Sequence, residues 1–119
     1  MRTLLIIDSN YIFRQTLRDI IQERFPAVNV VEARDAEEGL RKTIGERPQL
    51  IITDLRLVGG ICLELIQQIA KRLPEARIAV LTDMDDEEYR QAALREGADF
   101  FISKSGPDSQ RILAIIENS

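Results

Sequence analysis

Leu50-Ile51-Ile52-Thr53-Asp54 is the stretch that most restricts what this chain can fold into. Three consecutive apolar residues run through a threonine into a carboxylate, and Gly59-Gly60 loosen the chain soon after. A run this short and this apolar reads as a strand buried on both faces, as in a parallel sheet covered by helices. An aspartate at its end stands at the mouth of the sheet, where open α/β proteins bind their ligands. Two other stretches close in a similar way: Leu4-Leu5-Ile6-Ile7 into Asp8, and Ile78-Ala79-Val80-Leu81 into Thr82.

The segments between these strands carry helical periodicity. Phe13, Leu17, Ile20, Ile21 and Phe25 share one helix face, closed by Pro26. Asn29 to Ala33 is a weaker strand, expected at an edge. Asp35 and Glu38 form a capping-box pattern before a second helix, which should bury Ala36, Leu40 and Ile44 and end near Gly45. Cys62, Leu65, Ile66, Ile69 and Leu73 mark a third helix, starting near Gly60 and stopped at Pro74.

Residues 77–82 form the fourth strand. The acidic stretch Asp83 to Glu88 opens a fourth helix that ends at Gly97, and Asp83 reads as an acid complementing its dipole. Phe100-Phe101-Ile102 is a fifth strand running into Ser103-Lys104. Pro107 suits the first position of a last helix that buries Ile112, Ile115 and Ile116.

Five strands alternating with five helices imply an α/β fold: a doubly wound parallel sheet with helices on both faces. The strand order 2-1-3-4-5 would bring Asp8, Asp54 and Thr82 to one rim, with Lys104 arriving from the last strand. The alternation alone does not fix that order. A chain of 119 residues fits one domain, 1–119, with a core of its own.

Composition removes several classes of function. Sixteen basic against twenty acidic residues give a net charge of -4, which argues against direct nucleic-acid binding. The single Cys62 excludes an internal disulfide, and the absence of histidine leaves little basis for a zinc or haem site. No apolar run approaches the roughly 18 residues of a membrane span, and no signal-peptide pattern opens the sequence. A cytoplasmic, non-membrane domain is the expectation.

Two carboxylates and an ammonium at a dry rim suit the handling of phosphate and magnesium. Magnesium prefers oxygen ligands, keeps several waters and often takes only one or two carboxylates. A carboxylate is also a nucleophile toward phosphorus, forming an aspartyl-phosphate, with a lysine and a hydroxyl to stabilise the phosphoryl oxygens.

Taken together, Leu4 to Asp8, Pro48 to Leu55, Ile78 to Thr82 and Gly97 to Lys104 give an ordered set of motifs. Over essentially its whole length the chain resembles the receiver domain of bacterial two-component response regulators, a flavodoxin-like fold. The resemblance implies a non-enzymatic signalling domain that accepts a phosphoryl group on Asp54 from a histidine kinase. It implies Asp8, Asp54 and the backbone carbonyl of Arg56 as magnesium ligands, and Thr82 and Lys104 as phosphoryl contacts. Phe101 would be the aromatic whose rotamer follows activation. The face formed by the fourth helix, fifth strand and last helix would meet an output domain or downstream protein, with homodimerisation open.

The departures from the family pattern are specific. Two acids usually follow the first strand, and here the second is Ser9, a neutral and weaker ligand, so magnesium should bind weakly. Arg14 matches a common arginine of the family's first helix and supports this register. Asp83 stands where the family usually has a small residue. These changes keep an alternative open: a pseudo-receiver, an interaction module that works without phosphorylation. A flavodoxin-type electron carrier would need a Ser/Thr/Gly-rich phosphate loop, which Asp8-Ser9-Asn10-Tyr11 is not. An aspartate-nucleophile phosphatase would need a second Asp where Asn10 stands. Replacing Lys104 by alanine is expected to leave the stability of the unmodified protein nearly unchanged, or to raise it, since crowded functional rims are often costly.

Overall fold

A computed structural model describes residues 1–106 and 110–119. A five-stranded parallel sheet is built from β1 (Thr3–Ile7), β2 (Asn29–Ala33), β3 (Leu50–Thr53), β6 (Arg77–Thr82) and β7 (Phe100–Ser103). Its order is β2-β1-β3-β6-β7, the expected 2-1-3-4-5 once only the sheet's own strands are counted. The remaining strands, β4 (Arg56–Leu57) and β5 (Gly60–Ile61), form a separate antiparallel ribbon. The helices are α1 (Tyr11–Arg24), α2 (Ala36–Glu46), α3 (Leu63–Arg72), α4 (Glu87–Glu96) and α5 (Arg111–Glu117).

Because side chains alternate along a strand, β1 and β3 send residues to two cores. Leu4, Ile6, Leu50 and Ile52 pack with Leu17 and Ile21 of α1 and with Ile112, Ile115 and Ile116 of α5. Leu5, Ile7, Ile51, Ile78 and Val80 pack with Leu65, Ile66 and Ile69 of α3 and Ala93 of α4. Both faces are covered, which is why β1 and β3 are buried throughout and, apart from Thr3 and Thr53, apolar.

The helices begin and end for local reasons. Asn10 caps α1 by accepting the Phe13 N–H, and Asp35 caps α2 by accepting the Glu38 N–H. The Glu38 carboxylate reaches back to the N–H of Arg34 rather than that of Asp35, a variant of the expected box. Gly97 closes α4 with φ 127, and a Cβ there would press on Ala70 at 3.0 Å.

Three expectations need correction. Ile20 and Ile44 are exposed, at 45% and 48%. Helical spacing finds a stripe but not its centre, and in α2 the centre is Gly39 and Thr43. A Cβ at Gly39 would stand 2.7 Å from Ile7, so the glycine lets α2 approach the sheet along that line. The same helix ends at Glu46, near Gly45 as expected, and Arg47 adopts the left-handed conformation at its end, φ 47. The third helix starts at Leu63 rather than near Gly60, because residues 56–61 fold into the ribbon, with Gly59 (φ 98) and Gly60 (φ 121) at and beside its turn. Asp83 does not open α4: it is exposed in the loop, and Asp86 holds the capping position without a side-chain hydrogen bond. Pro107, expected at the start of the last helix, lies outside the described residues.

Candidate functional site

The sheet register places the polar strand ends side by side. Ile7 is paired with Thr53, and Thr53 with Val80, so Asp8 and Asp54 each lie one residue beyond the ladder. The Asp54 N–H extends it by donating to the Ile7 carbonyl at 3.0 Å. Thr82 pairs with Ser103, so Lys104 is the next residue out, and its N–H donates to the Thr82 carbonyl at 2.9 Å.

Asp8, Asp54, Thr82 and Lys104 meet. The Lys104 ammonium lies 2.7 Å from Asp8 Oδ2 and 2.9 Å from Asp54 Oδ2. Thr82 Oγ1 donates to Asp54 Oδ1, which also accepts the Arg56 N–H at 3.2 Å. The side chains of Asp8, Asp54 and Lys104 are only 3%, 10% and 11% exposed, so their charges interact with little water between them. Burial alone would lower the pKa of the Lys104 ammonium. Hydrogen bonds and charge from Asp8 and Asp54 outweigh burial and hold it above its ordinary value.

Lys104 is therefore the counter-ion of this rim, which argues against the expectation that its removal leaves stability unchanged or raises it. Its ammonium also lies 4.1 Å from the centre of the Phe13 ring of α1. Phe101, three residues earlier, packs with the cluster on the α3 and α4 side, in the company of Met84 and Tyr89. Lys104 and Phe101 thus serve opposite sides of the sheet.

Asp8 is held at several points. Its N–H donates to the Ala33 carbonyl at 3.0 Å, and its Oδ1 accepts the Asn10 N–H at 2.8 Å. Ser9, next to it, is exposed. The donor set fits a hard, well-hydrated cation, since two carboxylates and a main-chain carbonyl can be completed by water. Register supports the carbonyl. The Cys62 N–H donates to the Leu55 carbonyl at 2.8 Å, so Leu55 and Cys62 are a hydrogen-bonded pair flanking the β4–β5 ribbon. Bonding alternates in such a ribbon, so the Arg56–Ile61 pair is not bonded and the Arg56 carbonyl is turned away from its partner. No group of three or more histidine, cysteine or acidic side chains stands ready for a metal among the described residues.

Sequence reasoning missed three contacts: the Arg56 N–H on Asp54, the Asn10 N–H on Asp8, and that of Arg14, noted above only as a family match, whose Nη1 donates to the Asp8 carbonyl at 2.6 Å. Asn10 had a readable signal, a capping residue just ahead of a helical pattern. The other two depend on contacts that the sequence does not display.

Comparison with known proteins extends this picture. The family model of the response regulator receiver domain matches residues 4–117. The oxygen regulatory protein NreC of Staphylococcus epidermidis is 34% identical over 113 residues, covering 94% of this chain and 52% of that protein. The chain thus spans about half the length of the curated relatives it matches. A two-component response regulator of the LuxR family from Aurantimonas sp. superposes with a TM-score of 0.85 at 29% identity, covering 98% of this chain and 83% of that one. A response regulator from Burkholderia pseudomallei, solved with a phosphorylated aspartic acid, a calcium ion and citrate, gives a TM-score of 0.82 at 27% identity. That match covers 100% of this chain and 76% of the other. Among the described residues, no helix is long and apolar enough to cross a membrane.

Proposed function

The chain belongs to the response regulator receiver domain family, and from that premise we propose that Asp54 is its phosphoacceptor, charged by a histidine kinase. The observation that carries this reading is the Asp54 carboxylate itself, held at the end of β3 by the Thr82 hydroxyl, the Lys104 ammonium and the Arg56 N–H. An Asp54 oxygen attacks the phosphorus of a phosphohistidine. The O–P bond forms as the P–N bond breaks, and the electron pair leaves with the histidine nitrogen. Lys104 and Thr82 then take the phosphoryl oxygens as partners, the ammonium by charge and the hydroxyl by its single proton.

Receiver domains generally bind magnesium at their acidic pocket. Here Asp8, Asp54 and the Arg56 carbonyl would hold it, with Ser9 in place of an acid and therefore weaker binding. When bound, the ion supplies charge neutralisation at the phosphoryl oxygens.

Thr82 connects the site to the rest of the domain. Its hydroxyl accepts the Met84 N–H at 3.1 Å while donating to Asp54, so a phosphoryl group that draws the hydroxyl inward also draws on the loop ahead of α4. Phe101 and the α4–β7–α5 face would carry that change to an output domain or downstream protein, or to a second copy. On this reading the domain would work in the cytoplasm, without a direct grip on nucleic acid.

Intact-mass measurement with a small phosphodonor and magnesium is the test. Wild type should gain one phosphoryl mass and Asp54→Asn none. Persistence of that mass in the variant would overturn the assignment, and no gain in wild type would favour a phosphorylation-independent module.

A further inference from the structure

A second polar cluster, unused in the mechanism above, lies at the β2 edge of the sheet. Glu32 Oε1 accepts from Arg14 Nε at 3.0 Å and from Gln15 Nε2 at 2.8 Å. Its Oε2 accepts from Arg18 Nη1 at 2.6 Å. Burial alone would raise the Glu32 carboxyl, but the hydrogen bonds from Arg18, Arg14 and Gln15 outweigh it and hold the group below its ordinary value. The same Arg14 guanidinium that grips Glu32 through Nε reaches the main-chain carbonyl of Asp8 through Nη1. Their side chains are 12% and 17% exposed, so this is an inside brace rather than a solvated surface pair.

We propose that Glu32, acting through Arg14, is a positioning residue for Asp8 and thereby sets the strength of the cation site. The ladder between β1 and β2 ends at Ile7 and Ala33, and only the Asp8 N–H continues it, onto the Ala33 carbonyl. The Asp8 carbonyl has passed the end of the sheet, and Arg14 takes the place of the missing strand partner. That clamp fixes the peptide from which the carboxylate hangs, leaving Oδ2 on the Lys104 ammonium that Asp54 also pairs with.

Glu32 also decides where the positive charge of Arg14 goes. Paired to Glu32, the guanidinium meets Asp8 through its carbonyl. Without that partner it is an unneutralised cation one residue's length from the Asp8 carboxylate, free to pair with it and compete with a metal ion. With Ser9 supplying no charge, the site has no spare carboxylate to absorb such a loss.

The inference rests on the magnesium reading above, and the test separates the two. Magnesium titrations by calorimetry would compare wild type with Glu32→Gln, Arg14→Lys and Arg18→Gln. Glu32→Gln should weaken binding about tenfold, the usual scale for losing a group that orients a metal ligand. Arg14→Lys keeps the charge but cannot bridge two acceptors as a fork, so it should match Glu32→Gln. Arg18→Gln breaks a bond to the same carboxylate without touching Asp8, and should cost stability but leave affinity unchanged.

Equal shifts in Glu32→Gln and Arg18→Gln, or no shift in Glu32→Gln, would overturn the proposal. If wild type itself shows no saturable binding, the magnesium reading falls, and hydrogen exchange of the Asn10 N–H decides the positioning role. That N–H, bonded to Asp8 Oδ1, should lose protection in Glu32→Gln and keep it in Arg18→Gln. Retained protection in both would sink the brace.

Discussion

The two flanks of Asp54 are built differently. On the β1–β2 side, Asp8 is tied through its N–H, its carbonyl and both carboxylate oxygens, to Ala33, Arg14, Asn10 and Lys104. On the β6–β7 side, the loop that leads to α4 carries the exposed acids Asp83 and Asp85, and Asp86 caps the helix without a side-chain bond. Among the described residues, the side-chain ties there are the Met84 N–H on Thr82 and an exposed hydrogen bond from the Ser103 hydroxyl to Asp85. Local stability varies across a fold, and elements that move are drawn from its weakly held parts. On the proposed reading, one flank would hold charge in place and the other would respond to it.

Lys104 tests that division most strongly, because it reaches from the responsive side to the fixed one. In chelator, Lys104→Ala should lower the unfolding free energy by about 3 kcal/mol, since two buried carboxylates are left without their cation. Added magnesium should restore much of it. The pH dependence has a definite sign. The Lys104 pKa is raised above its ordinary 10.5, so its contribution is complete below the unfolded value and is lost as pH rises through the folded one. Denaturant titrations from neutral to alkaline pH should show that loss in wild type and its absence in the variant. Equal stability of the two proteins in chelator would mean that the flanks are not joined by this ion pair.

A smaller effect is expected at Ser9, exposed beside Asp8. At an effective dielectric near 20, unit charges about 4 Å apart interact by about 4 kcal/mol before desolvation and repulsion reduce it. Ser9→Asp should gain about 1.4 kcal/mol net, a roughly tenfold tighter magnesium site. The metal-free fold should lose about 1 kcal/mol, because a third carboxylate would crowd the rim. Magnesium titration paired with melting in chelator measures both. Equal affinities would show that charge count on the fixed flank does not limit the metal.

What the sequence displayed was local. The strands that end at Asp8, Asp54 and Thr82 were legible because an apolar run with a polar tip is written in consecutive residues. Their adjacency was not, since strand order is set by pairings between distant segments and entered through resemblance to a family. The ribbon of Arg56–Leu57 and Gly60–Ile61 escaped because strands of two residues have no period. Ile20 and Ile44 were misplaced because the depth of a helix face depends on what approaches it, as Gly39 does at Ile7. The Glu32–Arg14–Asp8 brace joins an edge strand, a helix and a strand end, and its traces in the sequence are Arg14 at a family arginine position and Glu32 after two valines. Five acids within residues 83–88 offered several equivalent caps, and only the backbone singles out Asp86.

The smallest effect belongs to the responsive flank. Ser103 Oγ donates to Asp85 Oδ2 at 2.8 Å, and both residues lie near the surface. Water replaces such a bond readily, so Ser103→Ala should cost about 0.5 kcal/mol, well below the change at Lys104. Magnesium affinity should stay at the wild-type value, because neither group bonds to Asp8 or Asp54. Amide exchange should quicken between Asp83 and Glu88 and remain unchanged from Asp8 to Arg14. A loss as large as that of Lys104→Ala, or a shift in magnesium affinity, would show the loop ahead of α4 to be as firmly tied to the site as Asp8. The asymmetry around Asp54 would then have to be sought in the phosphorylated state and not in the resting one.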